Sequence, residues 1–155
     1  MFRAHILGLS SVEQIIRLVA NLSIHREIGP QIASNAAMET LVHLLTTTTS
    51  QSSLSLTGVN EELMLNVVGA LTNLSYYMEC TENIVISNAV EIAENLSRLL
   101  VSDNDECVVE TLRAFGNLSR LDCIRHLMFS KHRLRCSFGT AFISLSSTYV
   151  LLIEF

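Results

Sequence analysis

Apolar positions along this chain recur at i, i+3, i+4 and i+7 in three separate segments. They are Ile15, Leu18, Val19 and Leu22; Val67, Ala70, Leu71 and Leu74; and Thr111, Ala114, Phe115 and Leu118, with Leu112 widening the third face. This spacing marks the buried stripe of an amphipathic helix, and none of the three shows the strict alternation of a strand. It predicts long helices over about 11–25, 61–78 and 105–121, and shorter ones over about 27–33, 36–45, 82–88, 89–101 and 122–131. Gly29-Pro30 suits a helix break and restart, because proline is tolerated in a first turn where its missing N–H needs no partner. Ser102-Asp103-Asn104-Asp105 punctuates similarly: short polar side chains cap the helix that follows, and the acids suit its positive end.

The three stripes belong to one repeated sequence. Residues 14–23, 66–75 and 110–119 align without gaps and end in a shared Asn-Leu-Ser, whose Asn falls at 21, 73 and 117, separations of 52 and 44 residues. Ser34-Asn35-Ala36 returns as Ser87-Asn88-Ala89, and Leu41, Leu44 and Leu45 return as Leu96, Leu99 and Leu100, so the repeat is longer than one helix. The longer first separation calls for an insertion. The hydroxyl-rich run Thr46-Thr47-Thr48-Thr49-Ser50-Gln51-Ser52-Ser53 has no apolar face and reads as part of a loop over 46–60. Each unit is then two short helices and a longer one, and no unit can bury its apolar face without a neighbour.

A repeat of this length and element order resembles the armadillo-repeat family, whose longest helix typically ends in an Ala-Leu-x-Asn-Leu pattern; Ala70-Leu71-Thr72-Asn73-Leu74 matches it best. The resemblance covers about residues 10–131 and implies an all-α armadillo-type solenoid of two to three units. Residues 1–131 are read as that solenoid and 132–155 as an atypical, irregular apolar tail. The family works by binding proteins, which implies a non-enzymatic scaffold without cofactor. Its shared Asn lines a concave groove and bonds the main chain of an extended or helical partner segment. By motif that role falls on Asn21, Asn73 and Asn117, with Arg17, Arg113 and Arg120 pairing the partner's acids. An internal inter-helix bond is the alternative for the three Asn residues, since a buried amide demands partners. Tyr76 and Tyr77, just beyond Asn73, either pack on the next unit or act as an aromatic anchor. The Arg113–Arg120 run is also similar to family members linked to assembly of the sperm flagellar axoneme, implying a cytoplasmic, cilium- or flagellum-associated role.

Family members that bind nuclear-import signals place Trp four residues before the Asn. Arg17, Gly69 and Arg113 stand there in this chain, which has no Trp at all, so the slots for Lys or Arg stems are missing. The chain opens at a long helix and has no polar capping unit at either end. It is therefore expected to be a fragment or truncated isoform that self-associates through uncapped ends, or one with no activity of its own.

Charge narrows the partners. The 155 residues carry a net −5; residues 1–124 hold six Lys+Arg against fourteen Asp+Glu, and residues 125–155 hold four against one. An acidic body repels a phosphate backbone, so nucleic-acid binding is excluded as the main role. Four cysteines without a Cys-x-x-Cys pair, and no signal peptide ahead of them, point to reduced thiols. The four Asn-x-Ser triplets, at Asn21, Asn73, Asn95 and Asn117, are then structural rather than glycan sites.

Two features outside the repeats call for a reading. Cys123, His126, His132 and Cys136 are spaced like a zinc set, which supports a rival role as a small metal-binding or redox-sensitive regulator; coincidence of helix and tail is the favoured account. Between Arg135 and Glu154 lie 18 uncharged residues, at the short end for a membrane span, but their Ser and Thr weaken insertion. The β-branched, aromatic tail suits pairing as a strand with another chain.

Overall fold

The computed structural model describes residues 3–33, 36–50, 58–77, 84–130, 136–141 and 143, and all regular structure among them is helical. Seven helices follow in order: α1 (Arg3–Leu22), α2 (Gly29–Ala33), α3 (Ala36–Ser50), α4 (Gly58–Ser75), α5 (Ile84–Leu99), α6 (Asp105–Leu118) and α7 (Asp122–Ser130). Residues 136–141 add a further helical stretch.

The helices form two layers. The three helices that carry the repeated motif, α1, α4 and α6, lie side by side in one, and α3, α5 and α7 in the other; α3 and α2 pack on α4, and α5 packs on α6. The expected unit of two short helices and a longer one does not hold throughout, since α6, at 14 residues, is shorter than α5, at 16. The packed helices form an armadillo-like α-solenoid, the architecture that the resemblance implies. The core lies between the layers and is built from the repeated stripes: Val67, Ala70, Leu71 and Leu74 of α4, and Thr111, Ala114, Phe115 and Leu118 of α6, are all buried. Each fully buried large side chain among them contributes about 1.5–3 kcal/mol through removal from water.

The sequence explains where helices start and stop. Asn104 caps α6, its side-chain oxygen accepting the Cys107 N–H at 2.9 Å, and Asp105 and Glu106 occupy the first turn at the positive end. Gly29 opens α2 where only glycine fits: a Cβ there would lie 2.6 Å from the Ser23 carbonyl oxygen and would collide with Cε2 and Cζ of Tyr77. The Tyr77 hydroxyl holds the same turn by donating to Ile24 O at 2.8 Å.

Three expectations are corrected. The loop expected over 46–60 is shorter, because α3 runs through Ser50 and α4 starts at Gly58; residues 51–57 lie outside the described ones. Threonines stay helical because each hydroxyl bonds back one turn, Thr47 to His43 O at 2.8 Å and Thr48 to Leu44 O at 2.6 Å. They also have a polar partner on α5: Asn95 Nδ2 donates to Thr46 Oγ1, Thr49 Oγ1 donates to Asn95 Oδ1, and Arg98 reaches Thr49 O. The pair of helices expected over 82–101 is one helix through residue 88, because the stripe Ala89, Ile92, Ala93 and Leu96 meets no Gly or Pro. Within the tail, 136–141 is helical rather than extended, and Phe138 packs edge-on against Phe115 at 4.9 Å between ring centroids. The rest of the tail, apart from residue 143, lies outside the described residues, as does the strand pairing expected of it.

Candidate functional site

The repeated Asn residues sit near the C-terminal ends of α1, α4 and α6, and two of them, Asn73 and Asn117, tie those helices together. Asn73 Nδ2 donates to Ala20 O at 3.1 Å, and Asn117 Nδ2 donates to Thr72 O at 2.9 Å and to Ser75 Oγ at 3.1 Å. Ala20 and Thr72 each precede the Asn of the preceding copy, so one bond is made twice in one register. Thr72 strengthens the second seam, its hydroxyl reaching Glu110 O at 3.3 Å. Asn21, the first copy, is exposed.

An open pocket of about 430 Å³ lies beside these bonds, lined by Ser23, Ile24 and Arg26 from the turn after α1, by Thr72, Asn73, Tyr76 and Tyr77 from the end of α4, and by Arg113 and Asn117 from α6. The amides of Asn73 and Asn117 therefore both border the cavity and carry inter-helix bonds. Asn117 has both its N–H groups committed and offers only Oδ1 to the pocket; Asn73 keeps one N–H. Tyr76 is 60% exposed and forms an edge-to-face pair with Tyr77, which is buried. The sequence left packing and anchoring open for the two tyrosines, and the fold gives them different places: Tyr77 locks a turn, while Tyr76 presents its ring.

The arginines separate in the same way. Arg120 stacks 5.6 Å from the centroid of Tyr76 and closes the end of α4, donating to Ser75 O at 2.8 Å and Tyr76 O at 3.0 Å. Those are carbonyls a helix end leaves without partners, so Arg120 is a cap between neighbouring helices. Arg17 forms an ion pair with Glu62 of α4 and does not line the pocket. Arg113 does line it, paired through one nitrogen with Glu110 at 2.6 Å. Arg26, missed in the sequence because it lies in the turn beyond the repeated motif, is exposed and lines the pocket. Its only sequence signal was position, a cation five residues after the shared Asn.

Nothing among the described residues assembles a metal site. No group of three or more His, Cys, Asp or Glu comes together there; Cys123 and His126 are exposed on α7, Cys136 is exposed on the next helical stretch, and His132 lies outside the described residues. Burial, together with the nearby Glu61 and Glu106 carboxylates, pushes the Cys107 thiol up to about 11, so it stays protonated at neutral pH. No helix among the described residues is long and apolar enough to cross a membrane.

The sequence of this chain is similar to that of known proteins. Armadillo repeat-containing protein 2 from Mus musculus is 37% identical to this chain over 119 residues, and the Homo sapiens protein is 39% identical over 107 residues. The chain resembles a fragment of these armadillo-repeat proteins. The aligned stretches take in 77% and 69% of the chain, and a Bos taurus relative of the same name is 38% identical over 107 residues. The chain spans only 12–13% of the length of these relatives. No family model and no solved structure matches it. Helices α1, α4 and α6 carry the repeated motif, and the pocket lies across the ends of all three.

Proposed function

We propose that this chain is a non-enzymatic protein-interaction scaffold that holds a partner segment across the ends of α1, α4 and α6. The observation that carries the reading is the pocket itself, which joins an exposed aromatic ring, two guanidinium groups and two Asn amides in one cavity. Tyr76 offers a large rigid face to an apolar side chain, and Arg26 and Arg113 supply charge for carboxylates. The remaining Asn73 N–H and the Asn117 carbonyl oxygen suit a partner main chain. An acidic segment in extended or helical form has the chemistry this pocket receives, in a protein whose acidic body disfavours nucleic acid. The similarity of the Arg113–Arg120 run to family members linked to the sperm flagellar axoneme is the ground for setting that work in the cytoplasm, in cilium or flagellum assembly.

The test is capture of partners from ciliated or spermatogenic cells by the whole chain and by two pocket variants, Tyr76→Ala and the double reversal Arg26→Glu with Arg113→Glu. A partner retained by the wild-type chain and lost by both variants, at unchanged melting temperature, is the expected result. Equal capture by all three chains removes the pocket from the function.

A further inference from the structure

The pocket across the ends of α1, α4 and α6 is a cationic spot on an acidic body. Residues 1–124 hold six cations, all arginine, against fourteen acids. Arg26 and Arg113 line the cavity, Arg120 stacks on the Tyr76 ring, and among the described residues no Asp or Glu lines it. Arg26 makes no hydrogen bond or ion pair among the described residues, and Arg113 gives one nitrogen to Glu110 and has no other partner there. The two guanidinium groups come to the cavity from different elements, the turn after α1 and helix α6. One carboxylate, with a single charge and two oxygens, is satisfied by one guanidinium fork. A phosphate carries about −1.5 to −2 charges at pH 7 and three acceptor oxygens, enough for both arginines.

The remaining walls are apolar. Ile24 is 62% exposed and Tyr76 60%, and both border the same cavity. Tyr77 meets the Tyr76 ring edge-on and Arg120 stacks on it, so the ring is a fixed wall rather than a loose side chain. At about 430 Å³ the cavity is in the range that receives a whole side chain. Phosphoserine and glutamate bring little apolar surface to Ile24 and Tyr76, whereas an aromatic ring covers both and gains from the edge or offset contact that aromatic pairs prefer.

We propose that the pocket is a phosphotyrosine socket: a partner segment inserts a phosphorylated tyrosine, its ring against Tyr76 and Ile24 and its phosphate shared by Arg26 and Arg113. The Asn73 N–H and the Asn117 carbonyl oxygen then hold the main chain of the same segment. This rests on the groove reading and narrows it, from any acidic segment to one whose anion stands at the end of a ring. Binding is thereby controlled by a modification of the partner.

Fluorescence anisotropy with the whole chain tests it, using four short acidic peptides identical except at the central position, which is phosphotyrosine, tyrosine, phosphoserine or glutamate. The phosphotyrosine peptide should bind about 10- to 100-fold more tightly than the tyrosine peptide, the size of a charge-assisted hydrogen-bond set. It should bind about 3- to 10-fold more tightly than the phosphoserine peptide, the size of an aromatic contact. Arg26→Gln should remove most of the first preference, with Arg26→Lys recovering part of it, and Tyr76→Ala should remove the second. Loss of helical circular dichroism in Tyr76→Ala moves that comparison to Tyr76→Leu. A phosphotyrosine peptide that binds no more tightly than the tyrosine, glutamate or phosphoserine peptide overturns the proposal, as does a preference that survives both Arg26→Gln and Tyr76→Ala. Treating the cell extract with a tyrosine-specific phosphatase before partner capture separates the two readings. Capture lost on that treatment supports the socket; capture that persists and still needs Tyr76 and the arginines overturns the socket and leaves the groove; capture that needs neither overturns both.

Discussion

Helices α1 and α4 carry the same apolar spacing and have opposite fates. In α4 the stripe is sealed under α2 and α3; in α1 Ile15 and Leu18 are exposed, and Ile16 is the buried residue of a helix that packs on α4. An i, i+3, i+4, i+7 pattern therefore reports what a helix is built to bury, and the neighbours decide whether it does. The same holds for the amides. Asn73 and Asn21 end one motif, yet the first bonds across a seam and the second is exposed.

Paired substitutions sharpen that contrast. The largest difference is expected between Met64→Ala and Val12→Ala: Met64 is 1% exposed, and truncating it leaves a cavity that should cost about 2–5 kcal/mol in urea unfolding. Val12 is 44% exposed, and its truncation should stay within about 0.5 kcal/mol. Equal losses would break the comparison.

Next comes Cys107 of α6, whose register counterpart in α1 is the exposed Ser11. The buried thiol is raised from 9.0 to about 11 in the fold. Below 9 the thiol is protonated in both folded and unfolded chains and stability does not respond. Between 9 and 11 the unfolded thiol ionises while the folded one keeps its proton, so stability should fall, by on the order of 2–3 kcal/mol at pH 11. Denaturant titrations of the wild type and Cys107→Ala across this range should differ in slope, the variant being flatter; parallel curves would count against burial as the cause.

The smallest of the three separates the Asn copies. Asn117→Ala removes two bonds across the seam, leaving Ser75 Oγ and Thr72 O the bond they make to each other, and should cost about 1–3 kcal/mol of thermal stability, while Asn21→Ala should cost close to nothing. Asn73→Ala, with one bond, should lie between them.

Much of this was readable beforehand because helix periodicity depends on spacing alone. The buried faces of α4 and α6 and the Asn104 cap region follow from positions in the chain. Threonines 46–49 were misread because β-branched hydroxyl residues disfavour helix only when nothing else engages them, and here α5 supplies Asn95, Glu91 and Arg98. The site was legible in its amides and in Arg113, and illegible in the division of labour among the other cations. Arg17 and Arg120 look alike in sequence to any ligand-binding arginine. Only packing shows that one meets Glu62 and the other caps α4, and that Arg26 borders the cavity.

The Asn–carbonyl seams also act as a ruler that measures angle and ignores length. The copies are 52 and 44 residues apart, yet both seams pair the Asn with the residue before the previous one. Residues added between α3 and α4 leave that pairing untouched, because they enter where no helix axis is being counted. A single residue added inside α4 ahead of Asn73 would swing the amide by about 100° around the helix and take it off Ala20. Variation in this array is thus free to accumulate in its connections and is barred from its long helices, however exposed one side of those helices is.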